Sequence, residues 1–181
     1  FAPSRSRRPP PRPACPRSAM APPWPVAAGL LLGSAQAARD PALLARRRVT
    51  LCINVSRRQP FPGLPRARCM RVPVFDDPAE DLYRYFDRCG DAIEEAVTSG
   101  GTCLVYCKNG RSRSAAVCTA YLMRHRNLAL QEAFATVKAA RPEAEPNPGF
   151  WAQLQRYEDD LKMRKQSEEP AKHIKNRSSP A

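Results

Sequence analysis

Three features of the sequence predict an α/β fold, a central, mostly parallel twisted sheet flanked by helices on both faces. Short apolar runs of strand length alternate with segments of helical period from about residue 27 onward, the pattern of parallel strands joined by helical crossovers. The run "TCLVY" (102–106) reads as a strand buried within such a sheet. Asp40-Pro41, Asp77-Pro78 and Asn147-Pro148 each set a capping side chain before a proline suited to the first helical position.

Taken in order, "AGLLLGS" (28–34) reads as a strand, "DPALLARRR" (40–48) as a short helix, and "VTLCINVS" (49–56) and "RCMRVPVF" (68–75) as strands. A long helix is expected over 76–100, where Glu80 completes a capping box with Asp77 and glycines close the far end. After "TCLVY" come a helix over 113–126, a helix over 129–141 with Leu130, Phe134 and Val137 on one face, and a last helix over 148–161 turning Phe150, Leu154 and Leu161 inward.

The chain's 181 residues suffice for one domain and its tails. The domain is expected over 27–163, between a basic, Pro/Arg-rich disordered leader (1–26) and a disordered polar tail (164–181). The formal charge of +13 resides wholly in residues 1–71, where fourteen arginines face the single acidic Asp40. Nineteen residues precede Met20, which reads as an alternative start; counted from there the charge is about +8. The leader lacks the aromatic interleaving that stacks bases, which argues against nucleic acid as a partner. No run approaches eighteen apolar residues, so no membrane span is expected.

Seven cysteines, an odd number with no C-x-x-C pair and only two histidines, disfavour a disulfide framework and a zinc site. No metal or other cofactor is called for. "VAAGLLL" followed by "AQA" resembles a secretory signal, but cysteines inside apolar runs (Cys52, Cys103 and Cys118) fit a reducing compartment, cytoplasmic or also nuclear.

The chemistry concentrates in "VYCKNGRSRSAA" (105–116). A strand runs through a tight loop into a helix, with Cys107 at the strand's end and Arg113 six positions on. Such a loop aims the N–H groups of Lys108, Asn109, Gly110, Arg111 and Ser112 and a helix N-terminus at one point, which makes an anion cradle. Gly110 lets the backbone bend, and Arg113 can hold two phosphate oxygens with its planar fork. A cysteine in that field is expected to ionise and attack phosphorus. Ser114 would hydrogen-bond the sulfur and help it leave in a second step. A buried structural cysteine before a basic turn is the plainer alternative, and the C-x-x-G-x-x-R-S spacing speaks against it.

This C-x5-R-S pattern resembles the signature of the cysteine-dependent protein tyrosine phosphatases. "GLLLGSAQAA", "VTLCINVS", "VPVFDD", "AYLM", "AFATVKAARP" and "PNPGFWAQLQRYE" extend the resemblance, in the same order, to the small dual-specificity phosphatases over roughly residues 27–161. Their low-molecular-weight cousins carry the loop near the N-terminus, and sulfurtransferases of the rhodanese type use a loop of another length. The resemblance implies a single phosphatase domain acting on phosphoprotein substrates through a phosphocysteine.

It also implies an aspartate about thirty residues before the cysteine. "PVFDD" offers Asp76 and Asp77; since Asp77 is accounted for as a cap, Asp76 is the expected general acid. Asn147 matches a position whose amide steadies the phosphate loop, or simply caps the last helix. Where most of the family has histidine before the nucleophile, this chain has Tyr106, and reduced activity is expected from that exchange. Two readings follow, a weak enzyme or a phospho-residue binding module. Lys108 and Arg111 either favour acidic phosphosites or are solvated loop charges. The loop alone would also accommodate a phospholipid or an RNA 5′-phosphate. Oxidation of Cys107 could engage Cys52 or Cys118. The sequence does not specify an oligomeric state.

Overall fold

The computed structural model describes residues 22–174. In chain order its elements are strands β1 (Trp24–Ala27) and β2 (Leu30–Ser34), helices α1 (Ala35–Ala38) and α2 (Pro41–Arg46), strands β3 (Val49–Asn54) and β4 (Arg68–Arg71), and a 3-10 turn at Tyr83–Tyr85. Helix α3 (Phe86–Thr98), strand β5 (Thr102–Cys107) and helices α4 (Arg113–His125), α5 (Leu130–Ala140) and α6 (Pro148–Ile174) complete it. The strands form one sheet in the order β1-β2-β5-β3-β4. Only the β1–β2 pairing is antiparallel; β2, β5, β3 and β4 run parallel.

Helices cover both faces, as the alternation of strand and helix requires. On one face α3 and α4 pack over the sheet, whose Leu30, Leu32, Leu51, Ile53, Cys103 and Val105 enter this core, with α5 and α6 packed against α4. On the other a smaller core joins Leu31, Ala38, Leu44, Val49, Cys52, Leu104 and Tyr106. Consecutive residues of β5 therefore point to opposite cores, and nearly all its side chains are apolar because neither face meets water. Being central, β5 carries its carboxyl end between Ser34 of β2 and Asn54 of β3, the location where open parallel sheets bind ligands.

Several boundaries differ from those expected. Residues 24–26, counted in the leader, form with Ala27 an edge strand, because buried Trp24 and Val26 give it an inward face; residues 1–21 lie outside the described residues. The signal-like "AQA" lies in α1, where Ala35, Ala37 and Ala38 are buried, Ala38 in the second core, and Ser34 caps the turn. The long helix expected from residue 76 begins only at Phe86. Asp77 does accept a hydrogen bond from Ala79 N–H (2.8 Å), but the Glu80 carboxylate reaches past it to Phe75 N–H (2.9 Å), so the capping box does not form. The following N–H groups, those of Leu82 and Tyr83, donate to Gln153 Oε1 of α6 at 2.9 and 2.8 Å. A side chain 70 residues away thus supplies what a helical turn would have supplied. Gly149 permits this contact, since a Cβ there would stand 2.0 Å from the Pro78 carbonyl oxygen.

At its far end α6 runs on to Ile174 rather than stopping near 161. Arg164 donates two bonds to the Asp87 carboxylate (3.0 and 3.1 Å), which also accepts from Tyr157 (2.6 Å) and pairs with Arg124 (3.0 Å). Burial alone would push the Asp87 carboxyl up, but hydrogen bonds from Arg164 and Tyr157 and the charge of Arg124 outweigh it and hold it below the usual value. A depressed folded-state value contributes stability that is present above the unfolded value and lost as pH falls through the folded one. Asp87→Asn is therefore expected to cost about 1 kcal/mol near neutral pH, a difference that fades below the ordinary carboxylate range. Urea titrations at the two pH values check it. No helix among the described residues is long and apolar enough to cross a membrane.

Candidate active site

Cys107 ends β5 with its side chain in the helix-covered core, and the chain turns at once into α4. Its Sγ lies 3.0 Å from Ser114 Oγ on the first turn of that helix. The loop between them is fixed from outside: Lys108 O accepts from Ala35 N–H (3.1 Å), Arg111 O from Glu145 N–H (2.7 Å) and Asn109 O from Arg141 (3.3 Å). With its carbonyls engaged outward, the loop is held as a rigid frame around the cysteine. Gly110 adopts φ +66°, and a Cβ there would come within 2.7 Å of the Gly33 carbonyl oxygen. Both the left-handed backbone and the close approach call for glycine.

Asp76, Cys107, Asn109, Arg111, Ser112, Arg113 and Glu145 line a cavity of about 210 Å³. Arg113, half-buried, donates to the Val74 carbonyl at 3.1 Å, so this guanidinium is bonded to the same segment that carries Asp76. Asn147 joins three parts of the site. Its Nδ2 donates to Asp76 Oδ1 (2.9 Å), its Oδ1 accepts from Phe150 N–H (2.9 Å), and its backbone N–H donates to Ser112 Oγ (2.9 Å). The amide thus caps α6 and holds Asp76, while the loop is steadied through the Asn147 backbone. Asp77 is occupied with Ala79 N–H instead.

Two expected members lie elsewhere. Lys108 is exposed and lines a neighbouring groove rather than the cavity. Tyr106 points to the opposite side of the sheet, where it is fully buried and its hydroxyl donates to Pro60 O at 2.8 Å. Burial pushes its phenol up from the usual value, so it stays neutral. Sequence reasoning did not find Glu145, Arg141 or Trp24, which reach the site from distant segments; no local pattern marks them.

The other cysteines are of a different kind. Burial pushes the thiols of Cys52 and Cys89 up to about 12 and also raises those of Cys103 and Cys118 well above the usual value, so they remain protonated at neutral pH. Cys52 belongs to the second core, across the sheet from Cys107, whereas Cys118 shares the first core with it. Of the two cysteines expected as oxidation partners of Cys107, Cys118 is the one on the same side of the sheet. Cys15 lies outside the described residues.

Known proteins resemble this chain over most of its length. A model of the dual specificity phosphatase catalytic domain matches residues 30–160. Dual specificity phosphatase 28 of Homo sapiens is 63% identical over 148 residues, 81% of this chain and 84% of that protein. The crystal structure of human DUSP28 superposes with a TM-score of 0.77 at 63% identity, covering 78% of this chain and 97% of that one. A mouse dual specificity phosphatase complexed with zinc tungstate gives the same TM-score at 60% identity, covering 80% and 92%.

Proposed function

The chain belongs to the dual specificity phosphatase family, and from that membership we propose that it hydrolyses phosphotyrosine and phosphoserine or phosphothreonine in proteins through a phosphocysteine. The observation that carries this reading is Cys107 Sγ within 3.0 Å of Ser114 Oγ, in a cavity whose walls supply both a guanidinium, Arg113, and a carboxyl group, Asp76. Arg113 serves the phosphoryl oxygens, and Asp76 serves proton transfer in both steps.

In the first step Cys107 Sγ attacks phosphorus. Negative charge spreads over the three non-bridging oxygens, which receive the N–H groups of residues 108–113 and the Arg113 fork. The departing oxygen takes its proton from Asp76, which Asn147 steadies at 2.9 Å. In the second step the Asp76 carboxylate takes a proton from water, the hydroxide displaces sulfur from phosphorus, and Ser114 O–H stabilises the leaving thiolate. Tungstate is a tetrahedral oxyanion, and its complex with the mouse relative supports a cradle of this charge and shape.

The orientation of Tyr106 supports slow turnover. The residue before the nucleophile is committed to Pro60 and the second core, so no imidazole at this position orders the loop. Tyr106→His is expected to raise kcat several-fold with little change in KM. It should also lower stability by about 1–3 kcal/mol, since it shrinks a buried side chain and withdraws the hydroxyl from Pro60 O. Steady-state kinetics and a thermal melt read both. The same tyrosine supports the second reading, a phospho-residue binding module with a cradle but negligible turnover. Phosphate release from phosphotyrosyl and phosphothreonyl peptides, competed by tungstate, separates the two. Release that tungstate inhibits is the hydrolase outcome, and affinity without release overturns it in favour of the binder.

A further inference from the structure

Beside the catalytic cavity lies a larger open groove of about 680 Å³, lined by Trp24, Gln36, Arg39, Lys108, Arg111 and Arg141 among others. It shares Asn109 and Arg111 with the cavity as a common wall. The fold brings these residues together: α1 is bonded to the phosphate loop through Ala35 N–H to Lys108 O (3.1 Å), and Arg39 ends that helix. Arg141, from the end of α5, closes the far side with its guanidinium stacked 4.0 Å from the Trp24 ring centroid.

The charge of this groove is not balanced. Arg141 pairs with Glu143 (2.6 Å) and Arg111 with Glu145 (3.7 Å). Asp40, next to Arg39, is engaged as the cap of α2 through Leu43 N–H (3.0 Å). Arg39 and Lys108 are exposed, and among the described residues neither has a carboxylate within ion-pairing distance. Two uncompensated cations thus flank a groove whose wall also offers the amides of Gln36 and Gln59, groups suited to peptide backbone. Lys108 immediately follows the nucleophile, so the groove begins one residue from the reacting sulfur.

We propose that this groove is an anion subsite that receives the carboxylate side chains of an acidic segment flanking the phosphorylated residue, and so selects acidic phosphopeptides. The inference rests on the phosphoprotein reading above and assigns that site a substrate class. An extended peptide advances about 3.3 Å per residue, so residues one or two positions from the phospho-residue come over the shared wall. Arg39 and Lys108 would meet them with charge-assisted hydrogen bonds.

The test uses the full chain as Cys107→Ser, so that binding is read without turnover, and two phosphotyrosyl peptides that differ only in three flanking Glu or three flanking Gln. At low ionic strength the Glu peptide is expected to bind about tenfold more tightly, an advantage that shrinks as salt is added. Arg39→Glu should abolish or reverse that advantage, while the same substitution with Cys107 intact leaves aryl phosphate turnover unchanged. Equal affinity for the two peptides, or a preference that survives Arg39→Glu, overturns the subsite and leaves the hydrolase reading standing. A Glu preference without Cys107-dependent turnover overturns the hydrolase and keeps the subsite. Tighter retention on vesicles of anionic lipid than on the Glu peptide overturns the peptide assignment.

Discussion

Cys107→Ser is expected to lower phosphate release by at least about a thousandfold on every substrate, as loss of a covalent nucleophile does. The substitution exchanges one atom at the floor of the cavity and leaves the loop, Arg113 and Asp76 as they are, so phosphopeptide affinity should survive. A serine hydroxyl at that point is a far weaker nucleophile than sulfur. Among the described residues no other thiol is placed to take over: Cys52, Cys89, Cys103 and Cys118 are buried and held protonated, and exposed Cys69 lies on edge strand β4. Stopped turnover with retained binding is the outcome that fits. Equal turnover in the two proteins would show that the sulfur does not react, and the mechanism would fall with it. Mass spectrometry of the wild-type protein quenched during turnover should find one added phosphoryl group, absent from the variant.

The loop residues of the proposed mechanism, from Cys107 to Ser114, were legible because they sit in one continuous stretch. Strand, loop and helix from 102 to 125 follow from an apolar run, a glycine with positive φ and a helical period, and their chemistry follows from spacing alone. What sequence reasoning misassigned depends on long-range partners. The segment at 77–82 carries a helix-start pattern, yet Gln153 takes the N–H groups of Leu82 and Tyr83 and Glu80 turns back to Phe75. Likewise α6 continues to Ile174 through polar sequence because Arg164 meets Asp87, 77 residues earlier. Trp24 was assigned to a solvated leader because its neighbours are prolines; an edge strand needs only one buried face, and two residues supply it here. Tyr106 is the instructive intermediate. Its identity announced a departure, but the direction of its side chain follows from the alternation of β5, and only the fold reveals Pro60 as its acceptor.

That same alternation governs the acid, which must come to the sulfur from another segment. Asp76→Asn is expected to slow hydrolysis of phosphothreonyl peptides by about a hundredfold to a thousandfold, with a smaller loss on activated aryl phosphates whose leaving group needs little protonation. The graded response is the signature of a proton donor; a merely structural aspartate would depress all substrates alike. Asn147 Nδ2, at 2.9 Å from Asp76 Oδ1, would still find an acceptor in the asparagine carbonyl, so the loop position should be kept. Asp77→Asn is the matching control. Its side chain accepts from Ala79 N–H at 2.8 Å, and asparagine can accept the same bond, so turnover should change by less than about twofold and by a similar factor on each substrate. If Asp77→Asn instead produced the leaving-group dependence and Asp76→Asn did not, the adjacent carboxylates would exchange roles. Proton delivery would then require the 75–80 turn to open away from its bonds to Glu80 and Ala79 before each turnover.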